Sequence, residues 1–239
     1  MSLRPVVPHL LREDAPDNPF PGRIALERRL GHGIHYQLGS NEGLDIAHQA
    51  LSRVLGESVA TLARSYGDPE GYAVRQRLAQ RFSLDINHLI VDAGADALMA
   101  LALRTVCVPG DVAITSAGTY PSFAYFARSA GCQLLEVPYQ QGNDLLAPDL
   151  TALAQLATRH QAKVVYLANP DNPSGHVFDD ATLAEFIAAL PSYTTLILDE
   201  AYFDFRQDEC DSTALKGVVR LRTFSNAQRG WQGYVLGMP

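Results

Sequence analysis

Lysine is nearly absent from this chain: of 19 Lys and Arg side chains in 239 residues, only Lys163 and Lys216 are lysines. Cysteine occurs three times, at Cys107, Cys132 and Cys210. Three widely spaced cysteines match no zinc pattern and cannot all pair, which excludes a disulfide-stapled scaffold. They read as buried reduced thiols, which suits the cytoplasm. No stretch approaches the roughly 18 apolar residues of a membrane span, and the opening Met1-Ser2-Leu3-Arg4-Pro5 lacks the apolar core of a secretion signal. Runs of basic residues are also missing. With a formal net charge of -7, this argues against nucleic acid or an anionic membrane as the main partner.

What is present is enough apolar material, 47% of residues, for a large core and against a disordered tail. Residues 1–40 are rich in Pro, Gly and charge and read as an N-terminal arm with a few short turns. From Ile46 the pattern becomes regular. Apolar residues at helical spacing predict helices over 46–54, 72–82, 96–106, 122–130, 148–159 and 180–190. Between them, β-rich runs predict strands over 88–91, 111–115, 133–137, 164–168, 195–198 and 219–224. Val164-Val165-Tyr166-Leu167-Ala168 and Thr194-Thr195-Leu196-Ile197-Leu198 are apolar on both faces. Strands buried on both sides and linked by helices imply an α/β fold, a three-layer αβα sandwich around a mostly parallel sheet. No internal repeat or low-complexity segment interrupts it.

In such sheets ligands bind beyond the carboxyl ends of the strands. Four loops there carry unusual chemistry. Asp92-Ala93-Gly94-Ala95-Asp96 opens a helix with small residues, so backbone amides can approach an anion; a short turn would look the same. Thr119-Tyr120-Pro121-Ser122 sets an aromatic after a strand, either to cover a flat ring or as ordinary loop packing. Asn169-Pro170-Asp171-Asn172-Pro173-Ser174-Gly175 forces an extended, turning backbone from which Asn172 can direct its amide into a cleft. Leu196-Ile197-Leu198-Asp199-Glu200 places a carboxylate where a buried strand emerges. That segment also fits a nucleotide hydrolase or a plain helix cap. The chain has no Gly-rich loop ending in Lys-Ser or Lys-Thr, so the hydrolase reading lacks its phosphate cradle.

Together these segments resemble the fold-type I pyridoxal-phosphate (PLP) aminotransferases of class I/II, most closely the histidinol-phosphate aminotransferase-like branch. The resemblance runs from Leu38-Gly39-Ser40-Asn41-Glu42 through Tyr66, Gly71-Tyr72 and the four loops to Arg222-Thr223-Phe224-Ser225. It implies the PLP-transferase large domain over 41–228, a homodimer, a cytoplasmic enzyme of amino-acid biosynthesis, and transfer of an amino group to a 2-oxo acid. The donor would be an amino acid or an amino-alcohol phosphate.

It also implies roles for individual residues. Asp199 would hold the proton on the pyridine nitrogen, Asn172 and Tyr202 the ring hydroxyl oxygen, and Tyr120 the ring face. Ala95, Asp96 and Ser225 would hold the phosphate, with Tyr66 reaching the phosphate of the neighbouring subunit. Gly39 and Asn41 would lie near the substrate, although Gly43-Leu44 stands where the family has Asn-Pro. No metal is implied.

The pattern then breaks. Where the family carries its Schiff-base lysine, this chain has Asn226, and an amide is neither an amine nucleophile nor a base. No catalytic residue is therefore intact. The family's phosphate-binding arginine is absent too, since Arg229 comes too early. The tail 229–239 has no family counterpart as written. Its back-translated codons, read two nucleotides on, can spell Gly-Leu-Ala-Gly-Leu-Arg-Val-Gly-Tyr-Ala, so a frame change near Gln228 is one expectation. On this reading the sheet lacks its last strand and the C-terminal small domain is missing. Two other readings stay open: a non-catalytic remnant or PLP-binding protein, and a PLP-dependent decarboxylase of the phosphothreonine type.

Overall fold

The computed structural model describes residues 23–36, 56, 67–142, 145–206, 217–224 and 233–236. The arm contains a helix, α1 (Arg23–Leu30), where only short turns were expected; none of its residues is buried. Helix α2 (Tyr72–Phe82) follows the turn at Gly71. Asp68 fixes this start, its Oδ2 accepting the Tyr72 N–H at 2.7 Å and so pairing a first-turn amide that the helix cannot. Gly71 has φ +58° and lies against Val91, whose side chain would collide with any Cβ there, so glycine is needed for both reasons.

The regular part then alternates as its apolar pattern requires. Strand β1 (Leu89–Val91) leads to α3 (Gly94–Val106), and β2 (Val112–Ser116) to α4 (Pro121–Ser129). Strand β3 (Gln133–Val137) is followed by a small hairpin of β4 (Gln140–Gly142) and β5 (Leu145–Ala147), then α5 (Leu150–Arg159). Strand β6 (Val164–Ala168), α6 (Asp180–Ala189), β7 (Thr195–Asp199), β8 (Val218–Thr223) and β9 (Gly233–Leu236) complete the order. Helix α3 begins at Gly94, two residues before the expected start. The predicted helix at 46–54 lies outside the described residues.

The main sheet has seven strands in the order β1-β9-β8-β7-β6-β2-β3. Every described pairing in this sheet is parallel except those of β9, which runs antiparallel to β1 and β8, so β1 and β8 point the same way. The expectation that the sheet loses its last strand is therefore corrected. Residues 233–236 lie between β1 and β8, with Tyr234 in register with Val91 on one side and Arg222 on the other. The two neighbouring strand edges offer backbone partners on both sides, which a four-residue strand cannot supply alone.

Strand residues alternate between two cores, which is the pleat expressed as packing. Val164, Tyr166, Ala168, Ile197, Val219 and Leu221 pack with Leu98, Met99 and Leu103 of α3 and Phe123 of α4. Val165, Leu167, Leu196, Leu198 and Val218 pack with Leu153 of α5 and Leu183 and Phe186 of α6 on the opposite face. Helices thus cover both faces, the three-layer αβα arrangement expected from strands apolar on both sides. Cys132 is buried and Cys107 half-buried, neither in a disulfide; Cys210 lies outside the described residues. No described helix is long and apolar enough to cross a membrane.

Candidate active site at the carboxyl ends of the strands

Because β1, β2, β6, β7 and β8 point the same way, their carboxyl ends share one rim of the sheet, and the loops singled out in sequence sit on it. Asp199 is the last residue of β7 and is 4% exposed. Its Oδ2 accepts the Tyr166 hydroxyl at 2.8 Å and its Oδ1 the Ala201 N–H at 3.0 Å. A carboxylate has about four acceptor positions, so capacity remains for a further donor. Burial pushes the Asp199 carboxyl up to about 6; the bonds from Tyr166 and Ala201 pull the other way, and the charges of Asp96 and Glu200 add to the rise. The site therefore stabilises a carboxylate only incompletely, which is what a site for a cationic partner requires.

Tyr120 stands at the N-terminus of α4, half-buried, and packs against the same core as Phe123 and Tyr166. Burial raises its hydroxyl above the usual phenol value, and the charges of Asp96, Asp199 and Tyr202 raise it further. Those couplings bring four of the expected residues, from the ends of β1, β2 and β7, into one electrostatic neighbourhood. Ala95 and Asp96 lie in the first turn of α3, where main-chain N–H groups lack intrahelical partners and the helix dipole favours an anion. Asp96 accepts the Ser122 hydroxyl at 3.3 Å, tying α3 to α4. Burial raises its carboxyl, against the bonds from Ser122 and Tyr120.

Asn172 is half-buried in the turn after β6, and Tyr202 in the turn after β7. The side chain of Asn172 makes no hydrogen bond among the described residues. Tyr66, Gly39, Asn41, Ser225 and Asn226 lie outside the described residues, although Thr223 ends β8 at the same rim. Lys163 precedes β6 and is exposed. A five-residue strand, at about 3.3 Å per residue, holds it roughly 16 Å from the rim. Lys216 lies outside the described residues.

Three features were not read from sequence. Tyr166 is fully buried on β6, stacked on Phe123 with ring centroids 4.5 Å apart, and presents its hydroxyl to Asp199. Its signal is a tyrosine amid aliphatic residues, whose polar tip must find a partner. Glu200 receives Arg220 through two nitrogens, at 3.0 and 2.6 Å, and Arg222 Nε at 2.9 Å. The guanidinium of Arg222 also stacks 3.5 Å from the Phe203 ring centroid. Two arginines in an otherwise apolar strand were that signal. The third feature is Asp171, 3% exposed, whose carboxylate collects hydroxyls from three chain segments. Among the described residues no group of three His, Cys, Asp or Glu side chains could hold a metal ion.

A family model, "Aminotransferase class I and II", matches residues 34–230. The chain is similar to the histidinol-phosphate aminotransferase of Anaeromyxobacter sp. (strain Fw109-5), 31% identical over 98% of this chain and 64% of that protein. A histidinol-phosphate aminotransferase of Lactiplantibacillus plantarum is 31% identical over 89% of this chain and 59% of its own length.

Among solved structures, the histidinol-phosphate aminotransferase from Sinorhizobium meliloti, in complex with pyridoxal-5'-phosphate, superposes with a TM-score of 0.81. It shares 33% identity over 92% of this chain and 61% of that one. L-threonine-O-3-phosphate decarboxylase from Porphyromonas gingivalis, at 22% identity and a TM-score of 0.65, shares the fold. The chain thus spans about 60% of the length of these aminotransferases. With the family match over most of its length and the rim loops in place, it belongs to the class I and II aminotransferases.

Proposed function

We propose that this chain carries the cofactor site of a pyridoxal-phosphate-dependent aminotransferase, of the histidinol-phosphate aminotransferase type. A complete enzyme of that type would move an amino group between an amino acid, or an amino-alcohol phosphate, and a 2-oxo acid in amino-acid biosynthesis; this chain, with Asn226 at the Schiff-base position, would be inactive or impaired in that reaction. The observation that carries this reading is the buried Asp199 carboxylate, held by two neutral donors and left with acceptor capacity at the rim. The described residues fit the cofactor. Asp199 would hold the pyridine nitrogen's proton, and its upward-shifted carboxyl would return toward full ionisation beside that cation. Asn172 and Tyr202 would bond the ring hydroxyl oxygen, and Tyr120 would cover the ring face. The first turn of α3, at Ala95 and Asp96, would receive the phosphate together with Ser225.

Tyr66 would reach the phosphate bound by a second copy of the chain, making the working form a homodimer. Gly39 and Asn41 would border the substrate. The low cysteine content fits a cytoplasmic setting. When bound, the cofactor supplies an electron sink for the charge left as a substrate Cα–H bond breaks. The proton-accepting amine that such chemistry uses has Asn226 in its place here. That residue favours a second reading, a chain that holds the cofactor without turning substrate over. The decarboxylase alternative has only a fold-level likeness behind it.

Titration of the whole chain with pyridoxal phosphate, followed by dialysis and borohydride treatment, separates the readings. Saturable binding that dialysis reverses and borohydride does not fix is the expected result and favours the non-catalytic holder. Covalent fixation would mean that another amine serves, and would restore the catalytic reading. No saturable uptake would contradict the cofactor site itself.

A further inference from the structure

Asp171 lies between Pro170 and Asn172, in the loop that continues β6 to the rim. It is 3% exposed, yet no arginine or lysine faces it among its described bonds. Its partners are neutral donors from three separate stretches of chain. Thr119, the residue before Tyr120, donates its hydroxyl to Oδ1 at 2.9 Å. Tyr139, which follows β3, donates its hydroxyl to Oδ2 at 2.8 Å. Ser174 donates both its hydroxyl, at 2.7 Å, and its N–H, at 3.3 Å, to Oδ2. An ionised carboxylate accepts at every position, which suits four convergent donors, and each such bond is charge-assisted. Burial and the facing Asp171 charge hold the Tyr139 hydroxyl well above the usual phenol range, so it stays a donor.

The consequence is mechanical. Thr119 is joined to Tyr120, and Asn172 follows Asp171 directly. One carboxylate thus ties together the two loops that carry the ring-covering and ring-hydroxyl groups of the proposed cofactor site.

We propose that Asp171 is a positioning residue: it latches the Asn172 loop to the Tyr120 loop and sets the gap into which a flat, anionic-tailed aromatic cofactor fits. This inference rests on the pyridoxal-phosphate reading above. Without the latch the folded chain keeps its sheet, since Asp171 lies beyond the end of β6 and outside both cores. The two loops would then sample independent positions, and binding would bear the cost of ordering them.

The test uses the whole chain, with circular dichroism verifying that each variant is folded. Asp171→Ala should raise the dissociation constant for pyridoxal phosphate by about tenfold or more, and weaken the dichroism induced in the bound cofactor, a measure of ring orientation. Asp171→Asn keeps the shape and one acceptor oxygen, and Thr119 can turn its hydroxyl to accept, so affinity should return to within about threefold of the parent. Asp149→Ala, which removes the cap of α5 on the sheet face opposite α3 and α4, should leave affinity unchanged. If Asp171→Ala does not fold, Thr119→Val decides, because it cuts the same link without removing the carboxylate.

Hydrogen exchange in cofactor-free protein supplies the independent arm. Asp171→Ala, or Thr119→Val in its place, should speed exchange in residues 117–120 and 171–176 together. A folded variant with parental affinity and dichroism would overturn the latch, as would faster exchange confined to the substituted residue's own loop. If the parent chain takes up no pyridoxal phosphate, the cofactor reading fails, while the exchange arm still decides whether the loops are latched.

Discussion

Two buried polar regions meet at the end of β7, and they differ in how charge is balanced. On one side Glu200, 1% exposed, faces Arg220 and Arg222, and the Arg222 guanidinium lies over Phe203 and Phe82. On the other, Asp199 is met, among the described residues, by a tyrosine hydroxyl and a main-chain N–H. Adjacent residues of similar burial thus stand in opposite surroundings. In the first region the carboxylate meets its cationic partners within the chain and binds β7 to β8, so it reads as architecture. The second holds a carboxylate that needs an external cation for full stabilisation, so it reads as a site.

The largest effect should come from breaking the compensated side. Glu200→Ala removes the buried carboxylate that Arg220 and Arg222 share and should lower unfolding stability by about 3–5 kcal/mol, measured by urea denaturation. The opposite sign is expected one residue earlier. The Asp199 carboxyl titrates at about 6 in the folded chain against 3.8 for its ordinary value. A raised folded value means that its favourable contribution is complete below about pH 4 and is lost as pH rises through 6. That loss is about 3 kcal/mol. Asp199→Asn, which does not titrate, should therefore stabilise the cofactor-free chain at neutral pH relative to the parent. The advantage should vanish below pH 4, as thermal melts across that range would reveal.

Tyr166→Phe sharpens the same contrast. Without the hydroxyl the Asp199 carboxyl should titrate above its present value, and stability at pH 8 should fall by about 1.5 kcal/mol, with a smaller loss at pH 4. The smallest effect should be Asp149→Ala on α5, where the cap bond from the Ala152 N–H is worth about 1 kcal/mol. This variant touches neither polar region and should shift the melt equally at all pH values above 5.

The legible parts of this molecule were those encoded locally. Val164–Ala168 and Thr195–Asp199 announce a two-sided sheet because every position must be buried, and helical periodicity marked α2 to α6 within a few residues. The rim loops were readable because their chemistry is written in consecutive residues. What escaped depends on partners distant in sequence. Tyr166 and Asp199 are 33 residues apart, and Thr119 and Asp171 are 52 apart. Strand β9 is four residues long and takes both its neighbours from elsewhere in the chain. The β4–β5 hairpin begins with Gln140-Gln141-Gly142, which carries no strand-forming pattern. Helix α1 buries nothing, so no apolar stripe announced it.

The central claim is that Asp199, and not its compensated neighbour, is the anchor for a cationic aromatic cofactor. Equilibrium titration with pyridoxal phosphate at pH 7.5 or so, comparing the whole chain with Asp199→Ala, tests it most directly. Losing a charge-assisted bond should weaken binding by at least about tenfold. Equal affinity in the two folded proteins would contradict the account.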